Sequence, residues 1–371
     1  MDNLVLGQRL RAHRVAAGWS LRELSARLNS RVTPQALSQY ETGQTHPRSE
    51  VLRALARVLG THLEQLRRDP DPVRPGAILF RHPVTLTPAV LSRAHGQLMT
   101  LTERSLALEQ RVGCPLAPPS LPFIAEIEYV RDPEDAEGLA QDVRRRWGLG
   151  TGPLPHLVSL FEARGIRVFE SFQREDDPDF NGCSAFVSYS AGSGLDFPVV
   201  LLNGSHWGER KRFTLCHELA HLILPSSMHD LLPEGVQERL ADWFAGALLL
   251  PATRLRDQLG RKRKTLSWYE LAEIKEQFGA SYQAITYRCQ QAGIITRETF
   301  RGLFDEYRRL GWRKAPYREH LAFPPERESS TRLARLALRG ITEGILSQSE
   351  AAIFLNTSEE EFVRWMQPPN A

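Results

Sequence analysis

The stretch FTLCHELAHLIL, Phe213 to Leu224, sets two histidines and a glutamate into an otherwise almost wholly apolar run, and no other stretch of the chain constrains the fold as tightly. An isolated buried charge costs on the order of several kcal/mol, so such groups persist only when paired or bound to something. Leucine at the same positions would carry no such cost. His217 and His221 are four residues apart and share one helix face, so both imidazoles can reach one metal ion at roughly 2.0–2.1 Å. Glu218 lies one step round the helix. There it can take a proton from a water that the ion activates and pass it to a leaving amine. A pair of satisfied core histidines is the plain alternative. Phe213, Leu215, Leu219, Leu222, Ile223 and Leu224 give the surroundings expected of a buried active-site helix.

The H-E-x-x-H spacing is that of zinc peptidases, which need a third protein ligand and leave the fourth position to water. Downstream, ERLADWFAGALLLP (Glu238 to Pro251) reads as an apolar helix with acidic groups at Glu238 and Asp242, again four apart. One carboxylate can bind the metal while the other orients a histidine through its Nδ1–H. Glu238 is assigned to the metal and Asp242 to a histidine, with His217 the expected partner; the reverse assignment stays open. His229 competes as third ligand from PSSMHDLLPEG, which reads as a loop, and a surface role suits it better. Zinc is the expected ion, and imidazole and carboxylate ligands also accept manganese or iron.

At 371 residues the chain is long enough for two or three domains. Charge is unevenly spread. Residues 1–68 hold eleven Arg and no Lys against five acidic residues, whereas the whole chain carries a formal +3. A basic amino-terminal module on a mildly acidic body points to a polyanion partner. Four scattered cysteines without metal or disulfide spacing, and no apolar run of about eighteen residues, lead us to expect a cytoplasmic protein with no membrane contact.

WSLRELSARLNSRVTPQALSQYETG has the layout of a helix-turn-helix. Ser20 can cap a first helix with Glu23 completing a capping box, and Thr33 can cap a second with Pro34 at its first position. The second helix buries Ala36, Leu37 and Tyr40. Gln35, Ser38 and Gln39 then point outward, with Gln suited to adenine and Ser to a base edge or phosphate. Thr33, Gln35, Ser38 and Gln39 are the expected DNA contacts, and Arg9, Arg11, Arg14, Arg48 and Arg53 are candidates for phosphate. A helical protein-binding module is the alternative.

DPDPVRPG (Asp69 to Gly76) and CPLAPPSLP (Cys114 to Pro122) read as linkers around a helix from about 88 to 112. Leu91, Ala94, Leu98, Leu101, Ser105, Leu108 and Val112 form a heptad seam, which either packs on the chain itself or pairs two chains. Strands are expected at GIRVFES, CSAFVSYS and FPVVLLN, helices at 134–147, 155–164 and from about 265 to 310, and an all-helical tail at 331–366. Basic GRKRKT reads as a solvated loop. SQSEAAIFLNTSEEEFVRWM spaces like a second helix-turn-helix, but its acidic second helix would repel phosphate, so we expect a packing, dimerisation or docking element.

Two resemblances join these parts. VVLLNGSHWGERKRFTLCHELAHLIL followed by ERLADWFAGALLLP, with NGCSAF upstream and SYQAITYRCQQAGII downstream, resembles the ImmA/IrrE family of metallo-endopeptidases over about residues 139–295. Asn181 stands where that pattern often has Asp. The amino-terminal pattern resembles the XRE group of helix-turn-helix domains over about 4–66, with Leu21 replacing a common phosphate-binding Gln and a turn two residues longer. The first resemblance implies a gluzincin-like fold that cleaves a protein partner such as a repressor. It implies His217, His221 and Glu238 as ligands, Glu218 as general base, and a substrate strand added to the free edge of CSAFVSYS. An oxyanion donor is expected among Tyr282, Tyr287, Arg288 and Arg212.

The expected fold is therefore α+β and multidomain: a helix-turn-helix domain at 1–68, linkers and a long helix at 69–122, a metallopeptidase domain with a small sheet at 123–312, and a helical domain at 313–371. The expected function is a DNA-binding regulator carrying a zinc endopeptidase, with double-stranded DNA and a repressor-type protein as partners and a homodimer possible. A transcription factor whose peptidase fold only senses a ligand or metal, and a cytotoxic protease held by an antitoxin, are the alternatives.

Overall fold

The computed structural model describes residues 3–67, 75–80, 87–121, 130–171, 180–189, 196–224, 232–313 and 318–367. The architecture is α+β and multidomain, as expected from the sequence. Five helices come first: α1 (Asn3–Ala16), α2 (Leu21–Arg27), α3 (Pro34–Glu41), α4 (Ser49–Val58) and α5 (Leu63–Arg67). They close around a core of their own that includes Leu6, Leu10, Leu24, Leu37, Leu52 and Leu55. Both helix starts form as their sequences dictate. Ser20 and Glu23 make a reciprocal capping box, and the Thr33 side chain accepts from the Ala36 N–H with Pro34 at the first position. The lengthened turn between α2 and α3 is built by Asn29 and Ser30, both at positive φ (53° and 56°). At Gly7, a Cβ would lie 2.4 Å from the Tyr40 carbonyl oxygen, so α1 meets α3 at a distance only glycine permits.

Strand β1 (Pro75–Phe80) and helix α6 (Pro88–Val112) follow, then α7 (Pro133–Arg146), α8 (Leu157–Ala163), β2 (Arg167–Ser171), β3 (Gly182–Tyr189) and β4 (Phe197–Asn203). The sheet runs β1-β3-β4-β2, with β2 and β4 parallel and the other pairs antiparallel. The three expected strands are present. Strand β1 forms where a linker was expected, because its backbone pairs with β3. Strand β4 is buried along its whole length, as a central strand covered on both faces must be.

The heptad seam of α6 is spent inside the chain. Ala94, Leu98 and Leu101 pack against the sheet, while Leu108 and Val112 join the carboxy-terminal helices. No interchain coiled coil is therefore left to that seam. Gly96 lets α6 approach α1, where a Cβ would sit 2.5 Å from the Ala16 nitrogen. Glu109, also on α6 and buried, accepts from Arg167 on β2 (2.8 Å), the Leu116 N–H (3.1 Å) and Ser105 (3.0 Å).

The rest of the body comprises α9 (Gly208–Ile223), α10 (Glu234–Leu249), α11 (Ala252–Leu259), α12 (Trp268–Phe278), α13 (Tyr282–Gln291) and α14 (Arg297–Arg309). Leu215, Leu219, Leu222 and Ile223 of α9 are fully buried, each contributing roughly 1.5–3 kcal/mol of transfer free energy. Segment 319–328 is stitched to this body by buried ions: Lys275 binds Glu209 (2.6 Å) and Glu319 (3.1 Å), and Arg212 binds Glu328 (2.7 Å).

Helices α15 (Arg332–Thr342), α16 (Gln348–Leu355) and α17 (Glu359–Trp365) end the described chain. They pack on the end of α6 and reach the amino-terminal helices. The His62 ring N–H donates to the Thr357 carbonyl (2.9 Å), Asn356 to the Gly60 carbonyl (3.0 Å), and Gln65 to Ile353. The tail is thus a packing element, one of the three roles its acidic second helix allowed. Among the described residues, no helix is long and apolar enough to cross a membrane.

Candidate metal centre

The packing of α9 against α10 brings their polar residues together. His217 and His221 are one turn apart on α9, and Glu238 and Asp242 one turn apart on α10. The Nε2 atoms of the two histidines lie 3.0 Å apart. Glu238 Oε1 is 3.1 Å from His221 Nε2, and Glu238 Oε2 is 3.5 Å from His217 Nε2. A tetrahedral ion with bonds of about 2.0–2.1 Å needs ligand atoms roughly 3.3 Å apart, and these three separations bracket that value. One ligand atom from each of His217, His221 and Glu238 falls within 4.8 Å of the others. The donor set of two imidazoles and a carboxylate therefore fits a zinc-like cation.

The electrostatics ask for positive charge at this point. Burial alone would pull the His217 pKa down. Its hydrogen bonds to Asp242 and Glu238, with the charge of Glu218, outweigh that and push it up to about 10. Burial would likewise raise the Glu238 carboxyl, but the two histidines hold it well below the usual carboxylate range. A cation bound between the three would stand where those protons otherwise sit. His217 Nδ1–H donates to Asp242 Oδ1 over 2.9 Å, so Nε2 is the ring atom directed at His221 and Glu238 and the one a cation would take. His229 lies outside the described residues.

Glu218 is buried beside this cluster and accepts a 2.7 Å hydrogen bond from Ser184 Oγ, itself 1% exposed. The sequence reading missed Ser184. The one available signal was parity: Cys183, Ala185 and Val187 face one side of β3, so Ser184 and Phe186 face the other, toward α9. No thiol joins the site. Burial pushes Cys216 up to about 12 and, with the charge of Glu218, raises Cys183.

The CSAFVSYS strand does not offer the free edge expected of it. Strand β1 already pairs with it, Phe80 opposite Ala185 and Leu79 opposite Phe186, so β3 is an inner strand. The backbone donors and acceptors that a substrate strand would use there are engaged with the chain's own residues over that register. Of the four oxyanion candidates, Arg212 is bound to Glu328 and the Leu154 and Pro155 carbonyls, and Arg288 to Glu137 and the Leu250 carbonyl. Tyr282 is buried and stacked on Trp312. Tyr287, 49% exposed, shares a groove with Asp242.

On α3, Thr33 and Gln35 are exposed while Ser38 and Gln39 are half-buried. Two of the arginines considered for phosphate are engaged internally: Arg9 with Glu103 (2.6 Å), and Arg14 with Glu41 (2.6 Å) and the Trp19 carbonyl. Arg11, Arg48 and Arg53 are exposed.

Residues 161–290 match the family model of the IrrE N-terminal-like domain, a metallopeptidase family, and residues 10–66 match the Helix-turn-helix family model. A comparison with curated proteins found no match. The chain thus carries a helix-turn-helix domain of the XRE type, which supports DNA binding and transcription regulation, and an IrrE-like peptidase-family domain.

Proposed function

We propose that the chain is a DNA-binding regulator whose second domain is a zinc endopeptidase acting on a protein regulator such as a repressor. The observation that carries this reading is the convergence of His217, His221 and Glu238 beside a buried Glu218 that is not one of the three. Zinc held by those three would supply Lewis acidity, lowering the pKa of a water and polarising a peptide carbonyl. The protein's own residues do the rest. Asp242 fixes the His217 tautomer, so that Nε2 is free to ligate. Glu218 takes the proton of the attacking water and returns it to the amine that leaves, and Ser184 holds the carboxylate in one orientation. On α3, Gln35, Ser38 and Gln39 read base edges while Thr33 caps the helix that presents them.

Glu218→Gln tests the reading, because it keeps shape and charge-free hydrogen bonding but cannot accept the proton. Cells expressing wild type should contain new protein amino termini, seen by mass spectrometry, that are missing in Glu218→Gln cells, and the controlled promoter should respond only to wild type. Equal promoter responses with no new termini would remove proteolysis as the output. One observation favours the rival reading, a sensor that does not cut: β1 occupies the β3 edge on which a substrate strand was expected. In that case Glu218→Gln would regulate as wild type does, while Glu238→Ala, which removes a ligand, would not.

A further inference from the structure

A groove of roughly 680 Å³ is walled by the first turns of α9, by Arg239, Asp242, Trp243 and Gly246 of α10 and by α13, and it meets the metal centre at Asp242, the partner of His217. Its walls include four aromatic rings: Trp207 and Phe213 at the start of α9, Trp243 on α10 and Tyr287 on α13. Phe213 stands one turn before His217, and Trp243 follows Asp242 directly, so the groove opens beside the carboxylate that orients His217. Ala284 lies in the α13 wall, where a side chain could grow into the space. The volume falls within the roughly 300–1,000 Å³ of small-ligand sites, and such sites bind through apolar walls with a few polar groups.

We infer that this groove is a specificity subsite that receives an aromatic residue of the substrate chain close to the cleaved bond. The inference rests on the peptidase reading given above. Aromatic walls favour an aromatic guest, because ring pairs in edge or offset contact add to what burial alone provides. The shared residue Asp242, which bonds His217 and also lines the groove, favours a side chain carried on a peptide over a free small molecule. A peptide lying at Asp242 has its next residues over Phe213 and Trp243, and anchoring there holds the reacting bond in place.

The test uses the full zinc-loaded chain in wild-type form and as Ala284→Phe, which fills the groove, and Trp207→Ala, which removes a half-buried aromatic wall. A peptide library made from a digested bacterial proteome is incubated with each, and mass spectrometry reads the residues flanking every cut bond. Wild type should show Phe, Tyr or Trp enriched at one position near the bond. Both variants, with unchanged zinc content, should cut such peptides at least tenfold more slowly relative to peptides with Ala at that position. Cleavage without aromatic enrichment, or enrichment unaltered in both variants, would overturn the subsite while leaving the peptidase.

A second measurement separates the two readings. Binding of N-acetyl-tryptophanamide to Glu218→Gln protein, followed by NMR, should weaken at least tenfold when Ala284→Phe is added. If that holds and no peptide is cut, the aromatic site stands and the peptidase reading falls. If the probe does not bind even with Ala284 in place, the inference is overturned.

Discussion

Ser184 Oγ and Glu218 Oε2 are 2.7 Å apart, at the point where an inner strand of the sheet passes the second residue of the H-E-x-x-H helix. A hydrogen bond to a charged group contributes about 1.5–3 kcal/mol, and 1.4 kcal/mol is tenfold in rate. Ser184→Ala should therefore lower kcat by about tenfold or more at unchanged zinc content, because the carboxylate loses the contact that fixes its direction. Steady-state kinetics on any cleaved peptide, beside metal analysis, checks this. A variant with wild-type kcat would show that Ser184 only fills space.

The metal centre makes its own demand. Glu238→Ala removes one of three converging donors and should abolish stoichiometric zinc. Asp242→Ala leaves all three and removes only the partner of His217 Nδ1, 2.9 Å away. Loss of such a supporting carboxylate costs roughly 10–100-fold in metal affinity. Mass spectrometry of metal per chain, followed by titration against a zinc chelator, separates the two variants. The opposite ranking would mean that the carboxylate roles are exchanged.

Much of this site was legible because helical periodicity is a local rule. His217 and His221, or Glu238 and Asp242, share a face whatever else the chain does, and an ion-sized gap between two such pairs follows once the helices pack. The capping of α2 and α3 was legible for the same reason: Ser20, Glu23, Thr33 and Pro34 act on neighbours within three residues. What escaped depends on non-local pairing. Strand β1 joins β3 across more than a hundred residues of chain, and its PGAILF sequence carries no alternation to distinguish it from a linker. Ser184 touches Glu218 only because β3 crosses α9. The α6 seam fitted a partner helix from outside as well as the chain's own, and only the assembled fold decides between them.

The recognition helix gives a prediction about sequence selectivity. Gln35 is exposed and Gln39 half-buried on α3, and a bidentate amide contact from either with adenine would distinguish it from other bases. Replacing either by Ala should cost about 1–3 kcal/mol on the best operator found by selection, and should relax preference at one base position. Binding selections with randomised DNA, run on wild type and both variants, read this directly. Identical selected sequences from all three would move the base contacts elsewhere.

Glu109 is the buried acid on which α6, β2 and the start of α15 converge. Its carboxylate faces Arg167 at 2.8 Å and Arg332 at 3.3 Å, and Arg167 is 5% exposed at its side chain. Removing one member of a buried ion pair leaves the other charge desolvated, at a cost of roughly 3–5 kcal/mol. Glu109→Ala should lower the urea midpoint by a corresponding amount, and Glu109→Gln, which keeps the hydrogen bonds but not the charge, by less. Arg167→Met in the Glu109→Ala background should restore part of the loss, because it removes the stranded charge. A double variant no more stable than Glu109→Ala alone would exclude this account.

His13 offers the clearest pH dependence away from the metal. It lies near the end of α1, and burial, then the nearby Arg104 and Arg9 charges, lower its pKa from 6.5 to about 3. The fold therefore favours the neutral ring. Its contribution is present in full above the unfolded value of 6.5 and is lost as pH falls from there toward 3. At pH 5 the loss should be on the order of 1–2 kcal/mol. Arg104 lies on α6, and α1 belongs to the helix-turn-helix domain, so the weakened contact is the one that seats that domain on the rest of the chain. Urea unfolding of wild type and His13→Gln between pH 8 and pH 5 tests the sign. Wild type should lose stability faster with acid than the variant does. Parallel curves would mean that His13 titrates alike in the folded and unfolded chain.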